Sequence, residues 1–229
     1  MPLIVPCTWI APAPIAAREL ATARSQSSPS RLPSSARPSG DFAVTITAVQ
    51  SAGLAAGVYR WAEEANAAHG KVNLIFNNAG VGAGGLVWEH TAKDWEWVIG
   101  VNLMGVAHGV RVFTPLMLEA ARRDSAYRGH VVNTASMAGL LNPPNMGVYN
   151  VSKHAVVSLS ETLYQDLQLV TEQLSASVLC PYFVPTGISQ SHRNRPQQLK
   201  ADKPTKSQLI GQAMSDKAVG SGKVSAADV

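Results

Sequence analysis

Cysteine is scarce in this chain, with only Cys7 and Cys180 among 229 residues. Two cysteines cannot form a disulfide framework, and no Cys/His cluster stands at ligand spacing, so neither a secreted mini-domain nor a structural zinc site is expected. Charge is also sparse, at 15% of residues against 46% hydrophobic. That excludes a wholly disordered chain and a charge-laced coiled coil. No apolar run reaches the roughly 20 residues of a membrane helix. Residues 2–17 lack charge but contain four prolines and no basic flank, a poor signal peptide. The expectation is a metal-free protein of the cytoplasm, with no membrane and no nucleic acid among its partners.

The basic excess sits at the two ends. Residues 1–40 carry four Arg against one Glu, and residues 188–229 carry seven bases against three acids. The middle, 41–187, holds eight bases against eleven acids. Scattered bases of this kind do not make a nucleic-acid footprint. Seven Pro, seven Ser and seven Ala without a period mark 1–41 as an atypical segment with no expected fold.

From residue 42 the pattern changes. Phe42–Val49 reads as a strand, and Val58, Trp61, Ala65 and Ala68 lie at helical spacing before Gly70. Val72–Phe76 is a short apolar strand running into N77-N-A-G-V-G-A-G-G85. Thr91 caps a helix expected to continue past Asn102 towards Pro115. His130–Thr134 is another strand, and Tyr149–Val170 a long helix whose Val151, Ala155, Leu159, Leu163 and Leu167 are expected to bury one face. Ser175–Cys180 is a last apolar strand. Apolar strands separated by long helices predict an α/β, three-layer, doubly wound parallel sheet over 42–229. The basic run in 193–206 reads as a solvated loop or lid.

Chemistry concentrates at Y149-N-V-S-K153. A Tyr and a Lys four residues apart share one helix face. A lysine ammonium one turn away is expected to lower the phenol's pKa and make it a proton carrier for an alcohol or carbonyl. Alone the pair is more often a core tyrosine beside a snorkelling lysine. Ser136, just beyond a strand end, could hold a substrate oxygen, or be an ordinary loop serine. Small residues at Asn78, Ala79 and Gly80 would let the backbone approach a flat ligand, or form a simple turn. Asn102 is a polar residue in an apolar helix and needs partners, if only at a kink. Thr186 in P181-Y-F-V-P-T186 is a binding candidate or a helix cap. All of these fall at strand carboxyl ends or on the adjacent helix, in order.

From about residue 58 onward these motifs resemble the short-chain dehydrogenase/reductase family. The resemblance covers NNAG at Asn77–Gly80, a tetrad at Asn102, Ser136, Tyr149 and Lys153, the wording V-V-N-T-A-S136-M-A-G, and P-G-x-V-x-T at Pro181–Thr186 with Tyr182 in place of glycine. It implies a Rossmann-type fold and an oxidoreductase with NADP or NAD as cofactor, interconverting an alcohol and a ketone or aldehyde. In this reading Tyr149 is the acid/base and Lys153 lowers its pKa and bonds the nicotinamide ribose. Ser136 polarises the substrate oxygen, and Asn102 holds a water in a proton path through the bend it permits. Asn78, Ala79, Gly80, Pro181, Val184 and Thr186 complete the cofactor contacts, and the segment 187–229 forms the substrate lid. Homodimers or homotetramers would pair through helices matching 94–118 and 149–169.

The family's T-G-x-x-x-G-x-G turn has no match. The expectation is therefore a Rossmann domain incomplete at its N-terminal strands and its final strand, with FAVTITAV replacing the third strand. The alternative is a catalytically inactive fragment or scaffold resembling that family and acting through subunit contacts.

Overall fold

The computed structural model describes residues 43–46, 54–200 and 203–225. The atypical 1–41 segment lies outside the described residues. Four strands form one parallel sheet in the order β1 (Ala43–Ile46), β2 (Leu74–Asn77), β3 (Gly129–Thr134) and β4 (Leu174–Leu179). The register pairs Ala43 with Leu74, Leu74 with His130, and Gly129 with Leu174. Ala43–Ile46, the described part of FAVTITAV, thus supplies a strand directly beside β2. In the family's 3-2-1-4-5-6 order a third strand would stand farther out, so it does not replace the third strand.

Helices fill every crossover, as parallel pairing requires. They are α1 (Leu54–His69), α2 (Ala92–Ile99), α3 (Gly105–Arg123) and α4 (Gly147–Val170), with α5 (Lys206–Gly220) after the sheet. Three-ten turns connect them, and α2 passes into α3 through a π-helical stretch, Gly100–Met104. The 32-residue run Ala92–Arg123 is long and apolar enough to cross a bilayer by length and composition. Here it is a core helix. Val106, Val112, Phe113 and Met117 are buried on it. Pro115, expected near its end, stands inside α3 on the exposed side, and the buried stripe carries the helix on to Arg123.

The principal core joins α1, α3 and α4 to the inner face of the sheet: Val58, Ala62, Ile75, Phe113, Met117, Val131, Leu163, Leu167 and Leu174. Removing a side chain such as Phe113 would cost about 3–5 kcal/mol. The sheet's other face, with Leu74, Phe76, Val132 and Leu179, is half-buried among the described residues. On α4 the expected stripe is corrected. Val151 is exposed, and the buried face is Val148, Tyr149, Ser152, Lys153, Val156, Val157, Ser160, Leu163 and Leu167. A four-residue repeat drifts about 40° per step on a helix of about 3.6 residues per turn, so Val151 and Leu167 cannot share a face.

α3 approaches β2 closely because Gly109 has no side chain. A Cβ there would run into the Asn77 amide. Asn77 Nδ2 donates to Asn133 Oδ1 at 2.8 Å, and Asn133 Nδ2 donates to Ser160 Oγ at 3.0 Å. The first asparagine of NNAG therefore stitches β2 to β3 and α4 inside the core.

Candidate active site

Parallel strands end together, and β2, β3 and the start of α4 bring the predicted residues to one edge of the sheet. Lys153 is 2% exposed, on α4. Its Nζ donates to the Thr134 carbonyl at 2.9 Å, at the end of β3. It also lies 5.8 Å from the centroid of the Tyr149 ring. Burial draws the Lys153 pKa down to about 8, against a smaller upward pull from Cys180.

Tyr149 departs from expectation. Burial pushes its phenol above the ordinary value, and a hydrogen bond from the Ser136 side chain only partly offsets this. The structure nonetheless places Ser136 and Tyr149 together. Ser136 also accepts from the Ala138 N–H at 3.2 Å, which fixes its side chain.

Asn102 occupies the π-helical stretch and is fully buried. Its Oδ1 accepts from the Val81 N–H at 2.8 Å, and its Nδ2 donates to the Val81 carbonyl at 3.0 Å and to Ser152 Oγ at 3.0 Å. The water expected on its backbone concerns other atoms; the side chain clasps both backbone groups of the residue after NNAG. Just before Val81, a Cβ on Gly80 would sit 3.6 Å from Lys153 Nζ and 3.8 Å from Asn102 Oδ1. Glycine there leaves room beside the amine.

Of the remaining candidates, Ala79 is buried, Asn78 is exposed, and Pro181 accepts from the Met137 N–H at 3.0 Å, tying together the loops after β3 and β4. Val184 is half-buried. Thr186 is exposed and caps the three-ten turn Gly187–Asn194 by accepting from the Ile188 N–H at 3.4 Å. Neither Val184 nor Thr186 is joined to Tyr149 or Lys153 by a hydrogen bond among the described residues. Tyr182, where the family has glycine, is 71% exposed and packs its ring against Phe183 at 4.4 Å between centroids.

Several participants escaped the sequence reading. Ser152, inside YNVSK, is buried and holds Asn102, while its hydroxyl donates to the Tyr149 carbonyl at 2.7 Å. Its only signal was an i,i+3 position facing the core. Ser191 bonds both backbone groups of Gly82, at 2.8 Å and 3.3 Å. Arg195, in the basic run expected to be solvated, forms an ion pair with Asp94 at 2.6 Å, with side chains 13% and 4% exposed. The oppositely charged partner lies 101 residues away, so no local pattern could announce it.

The family model described as short chain dehydrogenase matches residues 17–197, beginning well upstream of residue 58. A short chain dehydrogenase/reductase from Burkholderia phymatum, solved in complex with NAD, superposes with a TM-score of 0.73 at 56% identity, over 76% of this chain and 60% of that one. The CLA biosynthesis dehydrogenase/reductase of Lactiplantibacillus plantarum is 34% identical over 136 residues, 59% of this chain and 46% of that protein. An uncharacterized NAD-dependent oxidoreductase of Mycobacterium tuberculosis is 38% identical over 117 residues, 51% of this chain and 40% of its own length. The chain thus spans less than half the length of these two curated relatives. A match over most of the chain, on a parallel sheet whose strand ends gather Asn102, Ser136, Tyr149 and Lys153, makes this chain a member of the short-chain dehydrogenase family.

Proposed function

We propose that this chain is an NAD(P)-dependent oxidoreductase that interconverts an alcohol and a ketone or aldehyde. The observation that carries the reading is the convergence of Lys153, Tyr149, Ser136, Asn102 and Gly80 at one sheet edge. The donor set suits a dinucleotide. Lys153 uses one N–H on Thr134, and an ammonium has three to offer. The missing side chain of Gly80 leaves open the space a Cβ would fill beside that amine.

NAD(P), when bound, supplies or accepts the hydride. Lys153 would hold its ribose hydroxyls, with Asn78, Ala79, Gly80, Tyr149, Pro181, Val184 and Thr186 as further contacts. Ser136 would orient the substrate oxygen. Tyr149 would deliver a proton to that oxygen in reduction and withdraw it in oxidation. The burial that raises the phenol's pKa keeps it protonated at neutral pH, which suits an acid. Asn102 keeps the Gly80–Val81 backbone in register with Lys153. The segment after Thr186 would form the substrate lid. Subunits would pair through α3 and α4, where Leu116, Val151, Tyr164, Leu169 and Val170 are exposed. The proposed compartment is the cytoplasm.

Titration with NADH and NADPH, read by nicotinamide fluorescence on protein shown to be folded, tests this. Saturable binding is expected. Tyr149→Phe should still bind nucleotide but turn over none of the alcohols or ketones that wild type converts. Folded protein that binds neither nucleotide overturns the reading.

A further inference from the structure

Between the NNAG loop and the 187–200 segment runs a set of polar ties that the proton-transfer machinery does not use. Asp94 is the hub. Thr91 N–H and hydroxyl donate to its Oδ2 at 2.7 Å and 2.8 Å, closing the capping box of α2. A helix cap needs only that oxygen. The other, Oδ1, accepts from Arg195 Nη1 at 2.6 Å. Arg195 is held on two further sides. Its guanidinium carbon lies 5.0 Å from the centroid of the buried Trp97 ring, and its Nε donates to the Leu199 carbonyl at 2.7 Å. Leu199 is itself buried with Trp97, Val98, Val101 and Val148. Gln208, on α5, adds a long bond to Asp94 Oδ2 at 3.5 Å.

Four residues before Arg195, Ser191 bonds both backbone groups of Gly82. Gly82 follows Val81, which Asn102 clasps, and Gly80, which faces Lys153. The 187–200 segment is therefore bolted at Arg195 to α2 and at Ser191 to the loop that borders the Lys153 amine. Burial makes the first bolt strong in one specific way. Loss of either charge leaves the other without its counter-ion in a dry setting.

We propose that Asp94 and Arg195 are a positioning pair: by anchoring the 187–200 segment they hold Ser191 on Gly82, and so set the affinity of the Lys153 site for NAD(P)H. The ligand in this statement rests on the oxidoreductase reading; the mechanical link does not. Neither residue touches the reacting atoms. Their influence passes through Ser191 and the backbone of residues 80–82, and opening that bond frees Gly82 from Ser191, leaving Asn102 to hold the neighbouring Val81.

The test uses the full chain, with Arg195→Met, Arg195→Lys and Ser191→Ala. Arg195→Met keeps most of the side-chain volume and loses the charge. NADH affinity, by fluorescence titration, is expected to fall about five- to tenfold in Arg195→Met and in Ser191→Ala, and less in Arg195→Lys, which restores the ion pair. The Arg195→Met and Ser191→Ala effects should not add, because both break one chain of contacts. A lower melting temperature with wild-type NADH affinity in Arg195→Met would overturn the proposal, since that is the signature of a merely structural pair. Additive losses would overturn it too. Where Arg195→Met does not fold, Ser191→Ala and Arg195→Lys carry the same comparison.

Amide hydrogen exchange separates this proposal from the function it borrows. In Arg195→Met, residues 187–199 should exchange faster while β3 (129–134) keeps its protection, whether or not NADH binds. Absence of NADH binding by the wild-type protein, together with this local exchange in Arg195→Met, sinks the oxidoreductase reading and leaves the anchor standing. Uniformly faster exchange in both regions sinks the anchor.

Discussion

Lys153 shows how a functional group can work against stability. Its pKa, drawn by burial to about 8, lies below the about 10.4 expected in the unfolded chain. Between those values the unfolded state binds more protons than the folded one, so stability rises with pH from about 8 to about 10.4, and the penalty is full below 8. Lys153→Met removes the buried cation. Its unfolding free energy should lose this alkaline rise and exceed wild type at pH 7, while nucleotide binding is lost; urea titrations at pH 7 and 9.5 would show both. Asn102 carries the opposite balance. Asn102→Ala leaves the buried Val81 N–H and carbonyl without their partners, at a cost of about 3 kcal/mol. A denaturation midpoint within error of wild type would contradict this. YNVSK made Tyr149 and Lys153 legible because their spacing is local and matches a helix turn. The direction of the Tyr149 pKa was not legible, because it depends on how dry the site is, and burial arises from packing of distant elements.

At the scale of the element, boundaries followed from signals carried by neighbouring residues. Thr91 with Asp94 announces the start of α2, and the capping box is present. Gly70 ends the α1 region with φ 75°, a left-handed value suited to glycine. The helix faces were harder to assign. On α4 the tidy run of every fourth apolar residue pointed to the wrong stripe, because the buried face includes Ser152, Lys153 and Ser160, whose polar atoms are satisfied inside. The Asp94–Arg195 pair was hidden for a related reason, since a buried charge looks like a solvated one until its partner is located. Element contacts also give a sharp test. Gly109→Ala pushes α3 away from β2 at the Asn77 amide, and should destabilise by about 2 kcal/mol or more although alanine is the better helix former. Thermal unfolding would decide it. An unchanged or raised melting temperature would mean that the α3–β2 approach is looser than described.

For the molecule as a whole, the parallel sheet and its crossover helices were legible from the alternation of short apolar strands with long helices. The position of FAVTITAV was not, because strand order depends on pairing across the sheet and not on spacing along the chain. Binding should report on the whole fold. NADH at a hundred times its dissociation constant is expected to stabilise the folded state by about 2.7 kcal/mol, read as a raised melting temperature. An unshifted transition at saturating nucleotide would show that the site and the cooperative core are separate. Exposed apolar side chains on α4, with Leu169 83% exposed, give a second readout. Leu169→Glu with Val170→Glu should lower the sedimentation coefficient of an assembled form while the monomer stays folded; equal coefficients would exclude pairing through that end of α4.

The π-helical stretch at Gly100–Met104 bears on how this chain can change. Such a stretch accommodates one residue more than an α-helix would over the same turn, so it acts as a counted insertion in the reading of the helix faces. A deletion there can be absorbed by a return to an ordinary α-helical turn, but a second inserted residue would rotate everything beyond it by about 100°. Trp97 and Val98 before the stretch, and Val106, Val112, Phe113 and Met117 after it, could then no longer all face inward. The asparagine that clasps Val81 therefore sits where a residue can be lost more easily than gained, and single-residue insertions in 100–104 should be far less tolerated than substitutions at exposed Met104.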